Sequence, residues 1–524
     1  MNHIELFAGC GGLNLGMKKA GFSLLLANEL SPMAGETFAF NFLGDNLLDK
    51  PQEAKHTFWL GSNYPRSMMG KRLREDPRTY PQNTNGDIPV NPKELQGSLI
   101  IGNINALNDW LEKNKKALKE IKTSFGEGEV DVVSGGPPCQ SFSLAGLREK
   151  ENEKNSLPWS FAKFAELVKP KIVLLENVSG ILLPFTDNGK KYYAYFEVAK
   201  AFASIGYVPL TLHVNAKFAG VAQNRPRFIL IGVRNDFFKK IARSFNCAEK
   251  ELFSTSLEFY KKIKKGEEVS IHDLIVHDLN KESAETVNLF RSSFLAPLCV
   301  REKDFVTAKE AIQDLESTNP AQSSFVKNLN KTFKSILCQP KGKFDFSHTP
   351  STNQDRVRRR FRIYQVMSLI PNEAKREIAS VIAEKTSAIS DEAWKAVKQY
   401  TFLSFENKSI VFHTKEEFLA YLGEHHTRKQ MQRALVADAP APAALSIADD
   451  ACHYKELRTL SAREMARIQS FPDNFIFRSK MTTGGTQRRY EVPIYTQIGN
   501  AVPVLLGLAL GKVLKNLLAL SKQG

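Results

Sequence analysis

No CxxC pair occurs in the sequence, and its six cysteines, Cys10, Cys139, Cys247, Cys299, Cys338 and Cys452, stand far apart. That spacing argues against a zinc site and a disulfide framework, and it fits a reducing cytosol. No basic segment leading into an apolar run opens the chain. MNHIELFAGC enters a strand-like pattern at once, so a secretion signal is not expected. Long hydrophobic runs are missing as well. The most apolar stretch, Val502 to Leu520, is broken by Lys512, Lys515 and Asn516 and reads as a packed amphipathic helix, too polar to span a bilayer. No internal repeat is visible, and the expectation is a cytoplasmic protein.

Acidic residues are the minority: 56 Asp and Glu face 72 Lys and Arg, a formal charge of +16. A basic surface draws in polyanions, of which nucleic acid is the commonest. At 524 residues the chain is too long for one typical core, so two or three units are expected.

The first 235 residues alternate β-rich runs with helical ones. Strands are expected at His3–Phe7, Leu24–Asn28, Ser98–Ile101, Val130–Ser134, Lys171–Leu175, Val208–Val214 and Phe228–Val233. Helical patterns lie between them, at Leu13–Ala20, Ala106–Ile121, Pro158–Val168 and Tyr193–Ile205. Such alternation implies an α/β fold with a mostly parallel sheet covered on both faces. A stretch from about 45 to 96, rich in Pro, Asn and Arg, reads as an insertion at one sheet edge. From about 237 to 454 the pattern turns irregular, with clustered Lys and Arg and a few helices such as Glu373–Lys385. This reads as a second unit, with Ala439-Pro-Ala-Pro-Ala-Ala444 as a connector or loop near its end.

Phe7-Ala-Gly-Cys-Gly-Gly12 follows the first strand and opens the first helix. Glycines there permit a tight turn and let a ligand approach the backbone at a helix N-terminus. Glu29 ends the second strand, where a carboxylate accepts from ribose hydroxyls, and Gly102-Asn-Ile104 ends the third. The fourth strand runs into Gly135-Gly-Pro-Pro-Cys-Gln-Ser-Phe-Ser143. Two prolines stiffen the backbone before the thiol of Cys139, at the sheet edge where ligands bind. A cysteine in such a loop gains little from packing and suits a nucleophile. Glu176-Asn-Val178 ends the next strand. Gln223-Asn-Arg225-Pro-Arg227 precedes another, and alternation presents Gln223, Arg225 and Arg227 on one side.

Taken together, FAGCGG, GGPPCQSFS, LLENVSG, QNRPRFILIGVR, the segment Arg458–Pro472 and Gln497-Ile-Gly-Asn-Ala-Val-Pro503 resemble the DNA (cytosine-5) methyltransferase family in its unpermuted motif order. The PPCQ, ENV and QxRxR set is specific in combination, whereas the glycine loop alone is not. The resemblance implies a Rossmann-like sheet using S-adenosylmethionine, with no metal, and a separate, irregular target-recognition unit. By it, residues 1–240 form the catalytic domain, 241–485 the recognition unit, and 486–524 a return to the catalytic domain. Phe7, Gly9, Gly11, Gly12, Glu29, Asn103, Ile104, Pro138, Asn500 and Ala501 would line the cofactor pocket. Cys139 would add to carbon 6 of a flipped-out cytosine, and Glu176 would hold its Watson–Crick edge. Arg225 and Arg227, with Gln223, would fix the O2 side. Gln140, Ser141 and Ser143 would meet DNA. One departure stands out: the family's usual acid in the third motif is Asn103 here, so contact with the adenine amino group is expected to weaken or reorient.

Arg356-Val-Arg-Arg-Arg-Phe-Arg362 holds five arginines, Arg356, Arg358, Arg359, Arg360 and Arg362. A solvated face or a clamp on phosphates explains such a run, and its place in the family's variable region favours DNA. His425-His426, followed by Arg428, Lys429 and Arg433, suggests phosphate contact more than metal binding. Arg463 and Glu464 read as scaffold. Double-stranded DNA is the expected partner, with a cognate restriction endonuclease or defence protein encoded nearby and a monomeric state as the default. Methylation of RNA by the same chemistry, and a DNA-binding regulator with a decayed core, remain as alternatives. An oxidoreductase is disfavoured, because the loop reads FxGxGG and not GxGxxG.

Overall fold

The computed structural model describes residues 1–79, 85–138, 157–187, 190–301, 304–318, 320–339, 347–427, 429, 432–443 and 447–522. Cys139, Gln140, Ser141, Ser143 and Arg428 lie outside the described residues.

Nine strands form one sheet: β1 (Asn2–Leu6), β2 (Ser23–Glu29), β3 (Thr57–Trp59), β4 (Ser98–Ile101), β5 (Val132–Gly135), β6 (Ile172–Val178), β7 (Tyr207–Asn215), β8 (Pro226–Arg234) and β9 (Val276–Asp278). Their spatial order is β9-β7-β8-β6-β5-β1-β2-β4-β3. Every neighbouring pair is parallel except the two made by β8. The chain starts near the centre with β1, passes to β2 and goes on to the outer edge at β3. It turns back to β4 between β2 and β3, and then crosses to β5 on the other side of β1. A crevice therefore opens between β1 and β5 at their carboxyl ends, the place where open α/β sheets bind ligands.

The helices that matter for the site are α1 (Gly12–Ala20), α2 (Ile104–Lys113), α3 (Leu157–Val168), α4 (Ala194–Ser204), α5 (Asp355–Met367), α6 (Lys415–Gly423), α7 (Ala462–Ile468) and α8 (Val504–Ala519). All seven expected strands are present, with ends shifted by a few residues. The expected helix over Ala106–Ile121 is two helices. Asn114 ends α2, and its side chain accepts from Ala117 N to cap Lys115–Lys122.

Two edge strands lie outside the expected pattern. β3 belongs to the stretch from 45 to 96 and pairs with β4. β9 pairs with β7, far beyond residue 240. Leu252, Phe253, Phe259, Leu274, Phe290 and Leu298 share one buried cluster with the sheet strands. The change to irregular patterning near residue 240 is therefore not the edge of the first core. Residues 247–299 pack on the sheet, because β9 extends it and a 19-residue helix, Cys247–Lys265, covers it. A different cluster gathers Phe361, Ile363, Ile378, Ala393, Phe402, Phe418 and Leu422, from α5, α6 and the segments between them.

Val504–Lys522 is long and apolar enough to cross a membrane by length and composition alone, against the expectation that its lysines make it too polar. Its packing identifies it as a core helix: Leu506, Leu510, Val513, Leu514 and Leu517 are fully buried with the sheet. α8 meets α1 through small residues. A Cβ on Gly16 would lie 2.3 Å from the Gly507 carbonyl carbon, and one on Gly511 would lie 2.6 Å from Ala20 Cβ. Only glycine lets the two backbones approach this closely.

Candidate active site

Three turns converge at the carboxyl edge of the sheet. The first follows β1. Phe7, Gly9 and Gly11 all have positive φ, at 54°, 56° and 92°, so the chain coils tightly before α1 begins. The Glu29 carboxylate, at the end of β2, accepts from Gly9 N at 2.7 Å and Ser31 N at 2.8 Å, which fixes the turn. Burial raises the Glu29 pKa, against the lowering effect of these N–H groups. The three glycines then differ. A Cβ on Gly11 would sit 2.2 Å from the Phe42 ring, and one on Gly12 would sit 2.3 Å from the Val502 carbonyl oxygen. These two serve packing of the protein against itself. A Cβ on Gly9 would meet nothing within 4 Å, so Gly9 alone borders open space where a ligand could approach.

The other residues expected at the cofactor differ in exposure. Asn103 is exposed and caps α2, its Oδ1 accepting from Asn105 N at 2.8 Å, while Ile104 is buried beneath it. Asn500 is exposed, Ala501 is buried, and Pro138 is exposed at the end of the described segment.

The second turn follows β5. A Cβ on Gly136 would lie 3.1 Å from Glu176 Oε2, and the Asn177 side chain donates to the Pro137 carbonyl at 3.1 Å. The end of β6 thus grips the backbone two residues before Cys139. The Asn177 role was not foreseen. An asparagine beside a catalytic-type acid was the only signal for it.

The third turn leads into β8. In the antiparallel pairing of β6 and β8, Arg227 faces Val178 and Ile229 faces Glu176. Arg227 and Glu176 are therefore diagonal neighbours on one face, and Arg227 Nε lies 2.8 Å from Glu176 Oε1. Arg225 points elsewhere. Its Nη2 donates to the carbonyls of Gly499 at 2.8 Å and Ala501 at 3.2 Å, and its Nη1 donates to Gln223 Oε1 at 3.3 Å. Gln223 is fully buried. The three polar side chains divide the work. Arg227 belongs with Glu176, while Arg225 and Gln223 tie this turn to the Gln497–Pro503 segment.

Burial lowers the pKa of both guanidinium groups. The positive charge of Arg227 pushes Arg225 further down, and Glu176 opposes the shift in each. Two buried guanidinium groups against one carboxylate leave net positive character, which favours an oxygen lone pair or an anion at this spot.

Behind the site, Gln497 Oε1 accepts from Thr37 Oγ1 at 2.7 Å, and Gln469 Nε2 donates to the Ile498 carbonyl at 2.8 Å. Arg463 and Glu464 of α7 are fully buried, as scaffold residues should be. Glu464 takes both Arg458 Nη groups at 2.7 Å, and Arg463 donates to the Pro472 and Phe475 carbonyls.

The arginine run occupies α5 and is mixed in exposure. Arg359 is buried. Its Nε donates to His425 Nε2 at 3.1 Å, and its Cζ lies 4.9 Å from the Phe405 ring centroid. His425 is buried too, with Nδ1 2.6 Å from the Tyr421 carbonyl. An imidazole that accepts at Nε2 and donates at Nδ1 is neutral, and burial lowers its pKa. The phosphate contact expected of His425 is thus replaced by an internal strut. Arg362 docks on Thr401, whose carbonyl accepts from Nε at 2.8 Å. Arg356 and Arg360 donate to the Glu424 and His426 carbonyls beyond α6, and Arg358 reaches Asp355. Among the described residues no group of three or more His, Cys, Asp or Glu could hold a metal ion.

Comparison with known proteins adds an independent line. The type II methyltransferase M.DdeI of Desulfomicrobium norvegicum is 25% identical over 512 residues, covering 98% of this chain and 88% of its own. M.PspPI of a Psychrobacter species is 26% identical over 523 residues, covering 98% and 79%. A solved structure of a candidate DNA modification methyltransferase encoded within an E. coli prophage has a TM-score of 0.44 at 18% identity, over 99% of both chains. The description "C-5 cytosine-specific DNA methylase" matches residues 1–64 and 104–516, and the gap it leaves overlaps the stretch from 45 to 96. With its motifs gathered at one sheet edge and nearly its whole length matched, the chain belongs to the C-5 cytosine-specific DNA methylase family.

Proposed function

We propose that this DNA cytosine methyltransferase takes its methyl group from S-adenosylmethionine and acts through a covalent Cys139 adduct on a cytosine flipped out of double-stranded DNA. The observation that carries the reading is the Glu176–Arg227 pair, set against the backbone that leads to Cys139. Carbon 5 of cytosine is a poor nucleophile until something adds at carbon 6. The Cys139 thiolate forms that sulfur–carbon bond and makes the ring enamine-like. Glu176 holds N3 and the amino group as charge develops, and Arg227 steadies Glu176 and faces O2. When bound, S-adenosylmethionine supplies an electrophilic methyl on a sulfonium. After carbon 5 has gained the methyl, a base removes its hydrogen as a proton and the bond to Cys139 breaks. A cytosine stacked in a duplex cannot reach this site, so the base must leave the helix.

The cofactor residues fit the group. Gly9 borders open space, Glu29 retains acceptor capacity beside it, and Asn500 and Asn103 are exposed at the same edge. Asn103→Asp preserves a good helix cap and adds charge to the acceptor. It is expected to tighten S-adenosylmethionine binding about five-fold by titration calorimetry, since a charged acceptor adds about 1 kcal/mol. Unchanged affinity would remove Asn103 from the adenine side.

For DNA, Arg356, Arg358, Arg360 and Arg362 are the members of the run with exposure to offer, and Arg359 braces them from within. Homology to type II methyltransferases supports modification of a specific site within a restriction system, where a nuclease would be the partner. Bisulfite sequencing of DNA from cells producing the protein tests activity and target together. Protection of cytosines within one recurring sequence is expected, and uniform conversion would reject the reading.

A further inference from the structure

Three residues outside the sites above form a hydrogen-bonded chain. Ser179 opens the turn that follows β6, three positions beyond Glu176. Its Oγ lies 2.9 Å from His213 Nε2 on β7, and His213 Nδ1 lies 2.9 Å from Asp278 Oδ1 on β9. Asp278 faces His213 in the strand register. Lys281 stands 3.9 Å from the other Asp278 oxygen. A parallel chain starts two residues later. Asn280 Oδ1 accepts from Asn215 Nδ2 at 2.8 Å, and Asn215 Oδ1 accepts from the backbone N–H of Arg225 at 3.0 Å. One short edge strand and the turn after it therefore reach both the Glu176 segment and the Arg225 segment.

A serine, histidine and aspartate in this order also describe a hydrolytic nucleophile. Their placement favours another use. Directly opposed residues share a sheet face, and His213 opposes Phe228, which opposes Asn177. His213 and Asp278 thus lie on the face opposite to Glu176 and Arg227. β8 runs between β6 and β7, so the bond from Ser179 to His213 spans the strand that carries Arg227. It closes over the back of the site, where it can fix the end of β6 without touching a base.

We propose that Asp278, acting through His213 and Ser179, is a positioning residue that holds Glu176 and the Asn177 grip on Pro137 in register with Arg227. The proposal rests on the reading of Glu176 as the group that holds the cytosine. A carboxylate orients the imidazole so that Nε2 faces Ser179, and the serine pins the first residues after β6.

The test is single-turnover methyl transfer by the full-length enzyme, with labelled S-adenosylmethionine and saturating duplex, beside a separate measurement of duplex affinity. Ser179→Ala and Asp278→Ala are each expected to slow transfer about 10-fold, as small misplacements of catalytic groups do, with affinity unchanged. The double variant should be no slower than either single one, because both act through one chain. Asp278→Asn keeps an acceptor for Nδ1 and should recover most of the rate. Ser179→Ala carries the test if Asp278→Ala fails to fold. Additive losses in the double variant, or full rate in Ser179→Ala, would overturn the proposal. Labelling of Ser179 by a fluorophosphonate would overturn it too, by making the serine a nucleophile. Glu176→Gln run alongside separates the two readings. If that variant keeps full rate, the role of Glu176 falls. If it fails while Ser179→Ala and Asp278→Ala do not, only the brace falls.

Discussion

Cys139→Ser is expected to bring methyl transfer below detection, a loss of at least about 10⁴-fold, while duplex binding persists. A serine hydroxyl is almost wholly protonated at neutral pH and adds to carbon 6 far more slowly than a thiolate. Among the described residues that lead to this position, Gly136 and Pro137 offer backbone and Asn177 an amide, none of which is a nucleophile. A duplex with 5-fluorocytosine at the target gives the positive counterpart. Fluorine cannot leave as the proton does, so methylated base and protein should stay bonded and migrate together on a denaturing gel. Mass spectrometry should place the link on the peptide containing Cys139. A serine variant within about 100-fold of the parent rate would show that the covalent step is wrong.

The second large effect is expected at Glu176. Glu176→Gln keeps shape and one acceptor but removes the negative charge that faces Arg227 at 2.8 Å and partly offsets Arg225. A fall in kcat of about 10²- to 10³-fold is expected, comparable to losing one preorganised group that meets developing charge. Stability should fall as well, since removing one partner of a buried pair typically costs about 3–5 kcal/mol. The two losses are separable. Arg227→Met alongside Glu176→Gln removes both charges, so it should restore much of the melting temperature and none of the rate. A double variant as unstable as the single would mean that Glu176 is held by something other than its arginine.

Much of the fold was legible because the alternation of strand and helix is a local signal, and so were the three loops that leave the carboxyl edge. What could not be read depends on contacts between distant residues. β3 and β9 are three residues each, too short for a period of two to register, and they exist because longer strands beside them offer free edges. Arg359 looked like one more surface charge in a basic run. Its burial is decided by His425 and Phe405, which lie 66 and 46 positions away. Likewise the glycines of the first loop share one motif. Only the positions of Phe42 and Val502 reveal that Gly11 and Gly12 serve packing and Gly9 the opening. The division of labour between Arg225 and Arg227 was hidden for the same reason, since Gly499 and Ala501 are far along the chain.

The close fit of Gly16 to Gly507, and of Gly12 to the Val502 carbonyl, also bears on how the enzyme is made. The loop that begins at Phe7 and the segment that packs on it stand far apart along the chain: Cys10 and Gln497, whose side chain and carbonyl meet, are separated by 487 positions. A nascent polypeptide therefore carries the nucleophile motif and the arginine turn well before it can shut the pocket beside them. A polypeptide that stops short of Val502 lacks the carbonyl to which Gly12 is fitted, and so loses one of the contacts that shape the first loop.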